Sequence, residues 1–64
     1  MRDLFIYCHG REFPFYELPE DEIHRIRSRW NSGGGLVTIE YDDNVYLFRI
    51  SQIDAMVSKR RLPF

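Results

Sequence analysis

Only one segment of this chain carries a helical repeat. Ile23, Ile26 and Trp30 recur at the spacing of one helix face, between an opening Leu18-Pro19 and a closing run from Asn31 to Gly35. The segments on either side alternate instead, with the period of strands. A single helix shields one face of a sheet. The chain is therefore constrained to an α+β architecture whose second sheet face has no helix to cover it.

Leu4 to His9 and Glu12 to Glu17 read as a hairpin around Gly10-Arg11, with Gly at the first loop position. That loop sets His9 opposite Glu12, Cys8 opposite Phe13 and Ile6 opposite Phe15. One face then holds Leu4, Ile6, Cys8, Phe13 and Phe15, and the other holds Phe5, Tyr7, His9, Pro14 and Tyr16. Pro14 donates no ladder bond, so its strand is expected at an edge. Leu36 to Asp42 and Val45 to Ile50 flank Asp43-Asn44, which pairs Tyr41 with Tyr46, Ile39 with Phe48 and Val37 with Ile50. Thr38, Glu40, Val45, Leu47 and Arg49 face away from the core.

From Ser51 onward two forms stay open. Ser51 to Asp54 fits a helix start, and Ile53 to Lys59 fits a short fifth strand, which is the preferred reading. The fold expected is α+β, in the order ββαββ plus a short final β (or α) element. Two hairpins make one small antiparallel sheet with the helix packed on one face. Residues 1–59 form one domain, with 60–64 as a flexible tail.

Size sets further bounds. A 64-residue chain buries only about 60% of the surface it exposes when unfolded. Cys8 is the sole cysteine, so no disulfide framework supplements the core, and a reducing cytoplasm is the expected setting. Five Phe, four Tyr and one Trp supply large buried area per residue instead. Nine basic and ten acidic residues nearly cancel, which argues against a dedicated polyanion binder. No apolar run approaches the roughly 20 residues of a membrane span.

The charged helix has an ordinary explanation. Asp21 stands four residues before Arg25 and Glu20 four before His24, the favourable order for helical ion pairs. Acids first and bases last also suit the helix dipole. Arg25, Arg27 and Arg29 do not fall on one stripe, so they make no basic patch.

Catalytic signals are missing. Gly33-Gly34-Gly35 follows a helix and lacks the Lys-Ser/Thr of a phosphate loop. Cys8 and His9 point to opposite sides of a strand and cannot act as a pair. Asp21 and His24 are too few to hold a metal. No enzyme activity, metal or cofactor is expected.

What remains is the sheet face away from the helix, carrying Phe5, Tyr7, Tyr16, Val45 and Leu47. Aromatic and aliphatic groups left uncovered mark a partner surface. Leu62 and Phe64, spaced by Pro63, either fold back over that face or join it as docking groups. The expectation is a non-catalytic protein-binding module: a small regulator, inhibitor or assembly factor, of the kind found among short accessory proteins of bacteria and phages. Its partner is another protein or a second copy of itself. The alternative is single-stranded nucleic acid. Bases would stack on the sheet aromatics while Arg2, Arg49, Lys59, Arg60 and Arg61 meet phosphates.

Overall fold

The computed structural model describes residues 1–60. Its two hairpins are set by paired residues at positive φ: His9 (52°) with Gly10 (74°), and Asp42 (53°) with Asp43 (63°). Two consecutive positive φ values make the turn whose twist matches the flanking strands. Strands β1 (Arg2–Cys8) and β2 (Arg11–Leu18) flank the first turn, and β3 (Leu36–Tyr41) and β4 (Asn44–Arg49) the second.

Both turns come one residue earlier than the sequence suggests. Ile6 pairs with Phe13 and Leu4 with Phe15, while Val37 pairs with Phe48 and Ile39 with Tyr46. Each partner moves by two places. Because strand side chains have a period of two, every residue keeps the face expected of it.

A 3-10 turn (Ile50–Gln52) leads into β5 (Ile53–Arg60), so the last element is a strand, and it includes Arg60. β5 lies antiparallel on the free side of β1. The strands form two sheets, β2-β1-β5 and β3-β4, where one had been expected. β5 takes the position beside β1, and the second hairpin packs its inner face against that of the first sheet instead of joining it edge to edge. β2 is an edge strand, in keeping with Pro14.

Helix α1 (Glu20–Asn31) starts one residue after Pro19, which occupies the N-cap position. Ile23 and Ile26 are fully buried, and Trp30 packs partly buried against the core. Three acids occupy the first turn. They pair otherwise than expected: Glu20 with Arg2 (3.2 Å) and Glu22 with Arg25. Arg25 is drawn aside because it also reaches the main chain of β3.

One core joins all elements: Leu4, Ile6, Phe15 and Leu18 from β1 and β2, Ile23 and Ile26 from α1, and Val37, Ile39 and Phe48 from the second hairpin. The Phe15 ring meets Tyr41, Tyr46 and Phe48 edge-on at centroid distances of 5.3, 5.1 and 6.1 Å. A bulge lets Phe15 and Leu18, three residues apart, both face inward. Glu17 takes φ 59° there, and its N–H donates to Asp3 Oδ1 at 3.0 Å. The helix and the β3-β4 hairpin thus cover the same face of the three-stranded sheet.

Candidate functional site

The sheet face that no element among the described residues covers is built by alternation along three paired strands. Phe5 sits at its middle, opposite Pro14 of β2 on one side and Val57 of β5 on the other. Tyr7 lies opposite Glu12 and Ala55. Tyr16 is exposed at 47% and Val57 at 39%, while Phe5 and Tyr7 are half-buried.

The rings on this face are held in place by their neighbours. Phe5 and Tyr16 meet edge to face, with centroids 6.0 Å apart. The Lys59 ammonium stands 5.2 Å from the centre of the Phe5 ring, within cation–π range. The Tyr7 hydroxyl donates to Glu12 Oε2 at 2.8 Å. That bond to the protonated hydroxyl raises the Tyr7 pKa above its ordinary value of 10.0, with desolvation and the nearby negative charge adding in the same direction. At neutral pH Tyr7 is therefore a fixed neutral donor.

The second hairpin exposes a separate apolar surface, with Leu36 at 50%, Val45 at 62% and Leu47 at 64%. It does not join the first. The inner faces of the two sheets meet through Phe15, Phe13 and Phe48, so their outer faces point away from each other. The single patch expected from the sequence is split: Phe5, Tyr7 and Tyr16 lie on one side of the molecule, Val45 and Leu47 on the other. Leu62 and Phe64 lie outside the described residues, as does Arg61.

The cations named for nucleic acid are dispersed. Arg2 is engaged by Glu20 of α1, Arg49 is on the outer face of the hairpin, Lys59 lies over Phe5, and Arg60 ends β5. Glu12 and Asp3 stand among the aromatics. Arg25 and Arg29 are committed to β3.

Among the described residues, no three His, Cys, Asp or Glu side chains come together as metal ligands, and no helix is long and apolar enough to cross a membrane. Asp21, one of the two side chains considered for a metal, accepts the N–H of Glu22 at 3.0 Å. Cys8 is a half-buried free thiol.

Ala55 and Val57 were not anticipated as members of the site. Their alternation with Met56 and Ser58 was legible, but only the pairing of β5 with β1 puts them beside Phe5. Compared with protein-family models, curated proteins and solved structures, the chain matches none.

Proposed function

We propose that this chain is a non-catalytic protein-binding module that docks a partner on the outer face of the β2-β1-β5 sheet. The observation that carries this reading is the placement of both covering elements, α1 and the β3-β4 hairpin, on the opposite face. Among the described residues no element packs over this face: Tyr16 and Val57 stand exposed and Phe5 and Tyr7 half-buried, and burying such groups further is favourable in association as it is in folding. Their mutual contacts also favour binding. A ring already held by a neighbour loses less freedom when a partner arrives. The role that follows is that of a small regulator, inhibitor or assembly factor, and a cytoplasmic setting suits the free Cys8 thiol.

Photo-crosslinking tests the reading. A photoreactive residue is placed at position 16 or 57, and separately at 28 on the wet face of α1 and at 47 on the hairpin. The reading requires the same discrete protein adduct from 16 and 57 and none from 28. Adducts from 47 alone would move the docking surface to the hairpin. An adduct pattern indifferent to position would remove the reading.

The nucleic-acid alternative would use the same aromatics with Lys59 as the nearest cation. It is separated by oligonucleotide titration at two salt concentrations. Phosphate contacts make affinity fall steeply with salt. Saturable, salt-sensitive binding that is lost on Tyr16→Ala would replace the protein-docking reading.

A further inference from the structure

The unpaired main-chain groups of a strand edge are a template for another strand unless something occupies them. Among the described residues there are four such edges, on β2, β5, β3 and β4. Two are closed from within. On β2, Pro14 has no N–H, and the Tyr16 N–H donates to the Tyr41 hydroxyl at 3.2 Å. On β3, the guanidinium groups of Arg25 and Arg29 donate to the main-chain oxygens of Thr38 (2.6 Å) and Leu36 (3.1 Å).

β5 is not closed in this way. The two-residue turn makes Cys8 and Arg11 a mutually bonded pair, so Leu4, Ile6 and Cys8 bond toward β2. Asp3, Phe5 and Tyr7 then bond toward β5, where they face Lys59, Val57 and Ala55. The main-chain groups of Met56, Ser58 and Arg60 therefore point out of the sheet. No hydrogen bond among the described residues reaches them.

We propose that β5 pairs antiparallel with β5 of a second copy, joining two three-stranded sheets into one of six strands about a twofold axis at Val57. Charge identifies the occupant. β5 reads Ile-Asp-Ala-Met-Val-Ser-Lys-Arg, with its acid at the start and its bases at the end. Antiparallel pairing with itself brings opposite ends together, and opposite charges facing across strands are favourable.

Main-chain groups must also meet main-chain groups, which limits the registers. With the axis at Val57, Met56 faces Ser58 of the second copy, and Asp54, at the bulge where β5 steps past Cys8, comes beside its Arg60. An axis at Met56 sets Asp54 against Ser58, and an axis at Ser58 sets Arg60 against Met56. Only the Val57 axis makes the charge match, and symmetry makes it twice. The two Val57 side chains then meet on the outer face. β4 is open as well, but Arg49 is its one charge, so two copies joined there gain no match.

The proposal goes beyond the docking reading and is tested without touching Phe5, Tyr7 or Tyr16. Sedimentation equilibrium is run up to roughly 1 mM chain, a generous limit for a weak dimer. The expected species has twice the 7.8 kDa chain mass. Asp54→Arg and Arg60→Asp, each alone, are expected to weaken it about ten-fold, since each turns two attractions into repulsions. The double swap Asp54→Arg/Arg60→Asp is expected to restore it. Both side chains are exposed, so the swaps leave the core untouched. A chain that stays monomeric throughout overturns the proposal. So does a dimer indifferent to the single reversals, or one that the double swap fails to restore.

Discussion

Arg25 of the helix donates to the main-chain oxygen of Thr38 in β3 at 2.6 Å. One helical turn later, Arg29 does the same to Leu36 at 3.1 Å. Residues two apart on a strand present their oxygens to the same side, and residues four apart on a helix present their side chains to the same side. The two spacings match, so the helix stitches itself along the open edge of β3. Replacing both arginines by alanine is expected to cost about 1–2 kcal/mol of stability, the net worth of two partly exposed hydrogen bonds. The freed edge is also expected to promote aggregation. Urea unfolding followed by circular dichroism, with light scattering on the same samples, checks both.

Phe15 is the ring on which the two sheets meet. It is 1% exposed and touches Tyr41, Tyr46 and Phe48. Truncation of a buried Phe to Ala typically costs about 3–5 kcal/mol. A domain of this length has only about 3–10 kcal/mol to lose. Phe15→Ala is expected to leave the chain largely unfolded at 25 °C, whereas Phe15→Leu keeps the fold at a cost of about 1–2 kcal/mol. Thermal melts of the two variants distinguish these outcomes.

The glycine run after the helix is not uniform. Gly35 sits at φ +90°, and a Cβ there would lie 3.1 Å from the Arg29 guanidinium. Its carbonyl also accepts the Ile50 N–H at 3.0 Å. Gly34 has open space around its would-be Cβ and no positive φ. Gly35→Ala is expected to destabilise by about 1 kcal/mol or more, and Gly34→Ala to be neutral or mildly stabilising. Paired denaturant titrations measure the difference.

Tyr7 gives a pH signature. Its folded pKa is raised above 10.0, first by the hydrogen bond to Glu12. A raised folded pKa means that the native state holds the proton more tightly. The stabilisation is therefore fully present below pH 10 and is lost as pH rises through the folded value. Titration followed at the Tyr7 ring should show it ionising above 10.0, and Glu12→Gln should bring it back toward that value. A stability advantage of wild type over Tyr7→Phe should hold through neutral pH and vanish in strong alkali.

Much of this was legible in the sequence. The stripe of Ile23, Ile26 and Trp30 marked the helix face, Pro14 marked an edge, and alternation placed Phe15 inward and Tyr16 outward. These signals are local. The turns were misplaced by one residue because Gly10-Arg11 and Asp43-Asn44 are also acceptable loop pairs, and the choice depends on where the strands must meet. The separation of β3-β4 from the first sheet was not legible. Strand alternation gives a residue its face but does not choose the strand beside it, and β5 won the place next to β1. That choice divided the expected patch and sent Val45 and Leu47 to the far side. The task of Arg25 and Arg29 was hidden for the same reason, since their acceptors are main-chain atoms of a distant strand.

The central claim is that a partner docks on the sheet face bearing Phe5, Tyr16 and Val57. Chemical-shift mapping tests it most directly, using isotope-labelled chain titrated with the protein recovered by cross-linking. Perturbed amides should cluster on alternate residues of β1, β2 and β5, with Ser28 and Leu47 unmoved. Shifts gathered instead on Leu36, Val45 and Leu47, or along α1, would contradict it.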